Sequence, residues 1–104
     1  MLNVFTLVGK VKQMPQIKQT SQGNVVATLI VESERPFRNS DGSITFDLFN
    51  ITLWKGIAQM CCDCCKEGDV VAIKGRIQDT IYQKDKDHSY HNVELIAEKV
   101  SFVS

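Results

Sequence analysis

The dominant pattern in this chain is that of the β-strand. Asn3–Val11 alternates its side chains with a period of two, and Val25–Val31 is apolar and rich in β-branched residues. Thr45–Trp54, Asp69–Tyr82 and Tyr90–Val103 have the same strand composition. The sequence therefore predicts five strands.

The segments between the predicted strands are rich in residues that favour turns. Met14–Asn24 contains Pro15 and Gly23 and is predicted to be a turn, and Arg35–Ser43 is predicted to be an exposed loop. The polar segment Gln83–Ser89 is predicted to form the charged tip of a long hairpin between the last two strands.

One segment has a helical pattern instead. Apolar side chains recur there with the spacing of one helix face, at Ile57, Met60, Cys61, Cys64 and Cys65. The predicted order is thus three strands, one helix and two strands. This is the order of the OB fold, an all-β, five-stranded and partly open β-barrel with one short helix between strands three and four.

The length of the chain limits this fold to one copy. With 104 residues, of which 43% are hydrophobic, the chain can bury one core, so residues 1–104 are predicted to form a single domain. No run approaches eighteen apolar residues, and the first ten residues lack the pattern of a secretory signal. We therefore expect a cytoplasmic protein that does not bind membranes.

The charge of the chain is unevenly distributed. The formal net charge is zero, which by itself argues against a nucleic-acid-binding protein, since such domains are usually basic. Residues 1–40 nevertheless carry five basic and two acidic residues, whereas residues 41–104 carry seven basic and ten acidic residues. A positive face is therefore compatible with the neutral total.

Aromatic and basic side chains share strand faces that should meet water. In the third predicted strand, one face carries the set Phe46, Leu48, Asn50, Thr52 and Trp54. In the fourth, Lys74, Arg76 and Tyr82 share a face. Exposed rings stack on unpaired bases and cations follow phosphates, so the pattern favours single-stranded nucleic acid. Ordinary packing and a solubilising surface are the alternative interpretation of the same residues.

The whole chain resembles a known family in a series of short matches. They are Leu2-Asn3-Val4, Leu7-Val8-Gly9-Lys10-Val11, Pro15, Thr20, Gly23, Arg35, Gly42, Phe46-Asp47, Leu53-Trp54, Ala58, Lys66-Glu67-Gly68, Lys74-Gly75-Arg76 and Ala97-Glu98. On these residues the chain resembles the bacterial single-stranded DNA-binding protein (SSB) family. The resemblance implies sequence-nonspecific binding and protection of single-stranded DNA in replication, recombination and repair.

The resemblance also implies which residues contact DNA. The matching aromatic positions are Phe37, Leu48, Trp54 and Tyr82; Leu48 departs from the family's pattern, and Phe46 on the same face is a candidate to compensate. The basic residues assigned to DNA, by resemblance and by strand face, are Lys10, Lys12, Arg35, Arg38, Lys55, Lys74, Arg76, Lys84 and Lys86.

The resemblance further implies a homo-oligomer, a tetramer with a dimer as the alternative, in which the first strand pairs with its mate in another subunit. Typical members continue into a flexible linker and an acidic tip that recruits replication or repair proteins. This chain stops at Ser104, so no such tail is expected. A second resemblance, to the tailless primosomal replication protein, a usually dimeric OB-fold assembly factor, is the alternative function.

The cysteines suggest a third class, a metal or redox protein. Cys61 with Cys64, and Cys62 with Cys65, are each spaced as C-x-x-C, and His88 and His91 follow. Small apolar cysteines on the core face of a helix are the favoured interpretation, because four zinc ligands would have to converge from the helix and the hairpin tip. We expect no metal, no cofactor and no enzyme activity, since no phosphate loop or nucleophile–histidine pair is present in the sequence.

Overall fold

The structure is a computed structural model that describes residues 1–83 and 89–103, with the backbone alone at 81–83 and 89–91. It contains six strands and one helix in the described part of the chain. These elements are β1 (Phe5–Gln13), β2 (Ile17–Gln19), β3 (Val25–Arg38), β4 (Ile44–Trp54), α1 (Lys55–Cys64), β5 (Val70–Gln83) and β6 (Ser89–Phe102).

Five of the strands close into a barrel. Hydrogen bonding joins them in the order β1-β5-β6-β4-β3, and β1 then pairs with β3 to complete the circle. All pairings are antiparallel except the short parallel contact between β4 and β6 at Ile51–Leu95 and Thr52–Ile96. The predicted all-β barrel is confirmed, with α1 between the third and fourth of the long strands.

The core fills the inside of this barrel, as the alternating strand pattern requires. Leu29, Val31, Ile51, Leu53 and Val71 are each 0% exposed. Their neighbours along each strand point outward, because successive side chains of a strand face opposite sides of the sheet. The barrel wall therefore has one apolar inner face and one outer face that is available to solvent or to a ligand.

Helix α1 packs against the barrel through its apolar stripe. Ala58 and Cys61 on the helix are buried, and Cys65, immediately after it, is buried as well. Burial raises the pKa of the Cys61 thiol to about 12, so this thiol stays protonated and behaves as a small apolar side chain. The predicted role of these two cysteines is confirmed, whereas Cys64 is exposed and does not extend the stripe.

The metal-site alternative gains no support from the described part of the chain, where no three potential metal-ligating side chains lie close together. His88 lies outside the described residues, and the side chain of His91 is not described either. Helix α1 is too short and too polar to cross a membrane, and the described residues contain no other helix.

Two elements differ from the sequence prediction. The segment predicted as one turn, Met14–Asn24, contains the short strand β2, which pairs with β3 on the side away from β4. Strand β3 continues through Pro36 to Arg38, where an exposed loop was predicted. Proline lacks an N–H group, and the β3–β4 register is correspondingly irregular between Glu34 and Arg38.

Candidate nucleic-acid interface

The outer surface of β3 and β4 brings most of the predicted aromatic positions together. Phe46, Leu48 and Trp54 alternate with the inward-facing residues of β4 and lie on one side of the strand. Antiparallel pairing places Val26 opposite Trp54, on the same side of the sheet. We call this outer surface of β3 and β4 the β3–β4 face.

The apolar side chains of the β3–β4 face are open to solvent. Phe46 is 51% exposed and Leu48 is 60% exposed, while Trp54 is half-buried. Phe37 is 59% exposed in the distal part of β3, beside a groove of about 160 Å³ that Pro36 and Ile44 also line. Large apolar groups left in water on one strand are unfavourable unless a partner covers them.

The end of β4 holds Trp54 at a sharp change of direction. Strand β4 ends at Trp54 and helix α1 begins at Lys55, whose φ angle is 53°. A side chain with a Cβ atom in this left-handed region costs roughly 1–2 kcal/mol. Such strain clusters at functional positions, and here it places an exposed ammonium group next to the tryptophan.

Arg35 is engaged in an ion pair. Its Nε donates to Oδ2 of Asp47 and one terminal nitrogen donates to Oδ1, each at 3.0 Å. The guanidinium lowers the pKa of the Asp47 carboxyl, through the hydrogen bond first and the opposite charge second. Stabilisation by this pair is therefore present at neutral pH and is lost as the pH falls through the lowered pKa. By strand alternation, Asp47 points away from the side of β4 that carries Phe46 and Leu48.

Three other predicted basic residues also have partners. Lys12 Nζ lies 3.4 Å from a carboxylate oxygen of Glu32, and Arg76 lies 3.6 Å from Glu98. Arg38 donates to the carbonyl oxygen of Gly42 at 3.1 Å. The charges of Lys12 and Arg76 are therefore partly offset by carboxylates, whereas Arg38 is bound to a neutral acceptor.

Lys10, Lys55 and Lys74 have no ion-pair partner among the residues that the structure describes. All three are exposed, so their ammonium groups are the most available of the predicted set.

The structure keeps Lys74 and Arg76 on the outer side of β5, as the sequence predicted, but gives them different neighbours. Arg76 pairs with Ile96, which in turn pairs with Thr52 of β4, so Arg76 borders the β3–β4 face. Lys74 instead lies opposite Thr6 of β1 and Lys99 of β6.

The remaining predicted residues are Tyr82, Lys84 and Lys86. The backbone of Tyr82 pairs with that of Tyr90, but the side chain of Tyr82 is not among those described. Lys84 and Lys86 lie outside the described residues. Their assignment to DNA stays a prediction.

Sequence reasoning missed three charged residues near the aromatic side chains. Glu34 lies opposite Phe46, and Glu32 lies opposite Leu48. These carboxylates line a groove of about 490 Å³ between β1 and β3 that Lys10 also borders. Lys18 of β2 lies opposite Val26 and so in line with Trp54. The strand pairing shows where all three lie. The sequence offered no such indication for Lys18, because it stands in a segment that was predicted to be a turn.

Comparisons with known proteins agree with the predicted resemblance. A family model described as the single-strand binding protein family matches residues 2–103. Single-stranded DNA-binding protein B of Bacillus subtilis is 33% identical over 103 residues, which cover 99% of this chain and 91% of that protein.

Two further relatives are longer than this chain. The single-stranded DNA-binding protein of Halalkalibacterium halodurans is 31% identical over 99% of this chain and 61% of its own length. Single-stranded DNA-binding protein 3 of Listeria innocua is 29% identical over 99% of this chain and 64% of its own length. The chain thus spans less than two thirds of these two relatives.

Solved structures share the architecture. The Plasmodium falciparum SSB in complex with single-stranded DNA superimposes with a TM-score of 0.80 at 21% identity, covering 100% of this chain and 96% of that one. The wild-type single-stranded DNA-binding protein of Thermus aquaticus gives a TM-score of 0.83 at 21% identity, covering 99% of this chain and 50% of that one. At this identity the likeness shows the fold alone, and it agrees with the five-stranded barrel described above.

Proposed function

The chain belongs to the single-strand binding protein family, and from this premise we propose that it binds and protects single-stranded DNA without sequence preference. Replication, recombination and repair are the processes that expose such DNA. Binding, and no catalysed reaction, is the activity, as in the rest of the family. The observation that carries the proposal is the open apolar row of Phe46, Leu48 and Trp54 on the β3–β4 face.

The mechanism follows from the chemistry of unpaired bases. Bases of single strands have free faces that stack on aromatic rings, and each stack is worth about 1–3 kcal/mol in any sequence. Trp54, Phe46 and Phe37 offer such rings, and Leu48 offers an apolar surface without a π system. Duplex DNA hides its base faces, so the same surface favours single strands.

Phosphate contacts supply the second part of the affinity. We assign this role first to Lys10 and Lys55, which are exposed and have no ion pair within the described part of the chain. Lys12, Arg35, Arg38 and Arg76 would have to exchange a protein partner for a phosphate. Such exchanges lower the net gain, because an existing charge-assisted contact is lost.

Three broader properties belong to the same proposal. The chain acts as one OB-fold domain in the cytoplasm, and it assembles into a homo-oligomer, a tetramer in the first place and a dimer as the alternative. Strand β1 supports assembly, because it pairs with β3 only over Lys10–Gln13. Its edge along Phe5–Gly9 on that side has no strand partner among the described residues.

Replacing Trp54 with alanine tests the function. We expect Trp54→Ala to weaken binding of labelled oligo-dT by about 1–3 kcal/mol, because one stacking surface is removed. Fluorescence anisotropy of the labelled oligonucleotide measures this affinity. Since Trp54 is the one tryptophan in the sequence, quenching of the native fluorescence by unlabelled oligo-dT reports stacking at this position.

The matched control is Phe102→Ala, which removes an exposed ring at the end of β6, away from the β3–β4 face. We expect it to retain wild-type affinity. Equal affinities of the wild type for oligo-dT and for duplex of the same length, or unchanged fluorescence at saturation, would refute the proposed function.

A further inference from the structure

We infer that β2 extends the β3–β4 face by one strand, and that Lys18 binds a DNA phosphate there beside the base that stacks on Trp54. The inference rests on the proposed function. It predicts the path of the bound DNA from Trp54 towards β2, which the aromatic positions alone do not define. It concerns a residue that sequence reasoning did not assign to DNA.

The strand register places Lys18 in line with Trp54. Lys18 pairs with Val26, and Val26 pairs with Trp54. Directly opposed residues of antiparallel strands point to the same side of the sheet. Adjacent strands lie almost 5 Å apart, so the backbones at Lys18 and Trp54 are about 10 Å apart, with one small apolar residue between them.

The neighbouring row confirms which way the side chains point. Ile17 pairs with Ala27, which is 3% exposed, and Ala27 pairs with Leu53, which is 0% exposed. This row faces the core, so the next row, with Lys18, faces outward. Lys18 is exposed, and it has no ion-pair partner among the residues described.

A groove with a mixed polar and apolar lining lies along this extension. It has a volume of about 170 Å³, and the polar residues that line it are Gln13, Gln16, Lys18 and Thr28. Among the residues that the structure describes, its lining holds no carboxylate, and Lys18 is the one charged residue there. Amide and hydroxyl groups both donate and accept hydrogen bonds, so they suit sugar and base edges of any sequence.

Electrostatics favours this end of β4 over the other. At the Phe46 end, Glu34 and Glu32 lie opposite the apolar side chains, and Lys12 is already paired with Glu32, so the carboxylates and cations of that end largely offset each other. At the Trp54 end, Lys55 follows the tryptophan along the chain and Lys18 lies across two strands from it. The phosphates next to a base stacked on Trp54 are therefore attracted towards β2 by the positive charges of Lys55 and Lys18.

Lys18→Gln tests the phosphate contact by its salt dependence. Loss of one contact should reduce the slope of log K against log salt by about 0.7. The loss of affinity for oligo-dT should then be about 2.6 times larger at 50 mM salt than at 200 mM, as that slope dictates. Quenching of Trp54 at saturation should be unchanged, because stacking is retained.

Two variants serve as controls. Lys18→Arg keeps the positive charge and should keep the wild-type slope. Lys66→Gln removes an exposed lysine that follows α1, outside the groove, and should leave both slope and affinity unchanged.

The outcomes separate the two proposals. A wild-type slope and affinity for Lys18→Gln would overturn the role of Lys18 and leave the proposed function standing. A lower affinity with an unchanged slope would also overturn it, since damage to β2 and not the loss of a phosphate contact would then be the cause. Absence of oligo-dT binding by the wild type would instead overturn the proposed function.

Discussion

At the scale of single residues, the junction of β4 and α1 combines a stacking surface, a free charge and a strained backbone. Lys55 has a φ angle of 53°, a value that glycine adopts without penalty. A lysine at this position therefore lowers stability relative to glycine. A contact between the ammonium group of Lys55 and DNA beside Trp54 would account for a lysine at this position.

Two substitutions of Lys55 separate these effects. Lys55→Gly should raise the free energy of unfolding by up to about 1 kcal/mol, because relief of roughly 1–2 kcal/mol of strain exceeds the extra entropy of glycine. Lys55→Ala keeps the strain and should not gain stability. Both should weaken oligo-dT binding and reduce its salt slope by about 0.7. Urea unfolding and salt titrations measure the two properties; equal stabilities of the two variants would contradict the role of the backbone.

At the scale of strands, the β5–β6 pair depends on close backbone contact. A Cβ atom at Gly75 would collide with the carbonyl oxygen of Ile96 and lie 2.8 Å from the ring of Phe5. The register of the two strands shifts at this point, between Lys74 and Gly75. Glycine therefore allows β5 and β6 to approach where β1 also packs on them.

Gly75→Ala should accordingly destabilise the barrel by about 1–3 kcal/mol, the usual cost of overpacking. Gly56→Ala is the matched control, because a Cβ atom there meets nothing within 4 Å and the residue lies in α1. Alanine in a helix should raise stability by up to about 1 kcal/mol. Thermal unfolding of both variants compares the two effects. A Gly75→Ala protein as stable as the wild type would show that close contact between β5 and β6 is not required at this position.

The elements that could be predicted from the sequence are those with long periodic patterns. Five strands and the helix have enough apolar residues at a fixed spacing to be recognised. Strand β2 has three residues between Pro15 and Thr20, too few for a period to show. Its identity as a strand depends on pairing with β3, a tertiary contact that local composition does not report.

The arrangement of the candidate site was predictable to the same extent. Strand alternation placed Phe46, Leu48 and Trp54 on one outer surface, and the structure confirms that arrangement. It could not show that Arg35 is held by Asp47, or that Lys18 lies in line with Trp54. Both facts depend on which strands are neighbours and in which register.

At the scale of the whole molecule, the outer surface of β1 and β5 is suited to self-assembly. Val4, just before β1, is 46% exposed; Val8 on β1 is 55% exposed and lies opposite Ala72 of β5. The edge of β1 along Phe5–Gly9 lacks a strand partner towards β3 within the described residues. Open edges and exposed apolar side chains favour pairing with a second copy, and twofold symmetry lets the same edge satisfy itself in both chains.

The proposed tetramer predicts four chain masses in solution by light scattering, with two as the alternative that the primosomal type implies. Val8→Lys should shift the protein towards smaller species, because each twofold contact would then bring two added charges together in a dehydrated interface. Val93→Lys is the control, since Val93 is 73% exposed on β6, at a distance from β1. If Val8→Lys keeps the wild-type mass at low protein concentration, the β1 surface is not the interface. A monomeric wild type would exclude the oligomer itself. It would not contradict DNA binding, which the Trp54→Ala variant tests separately.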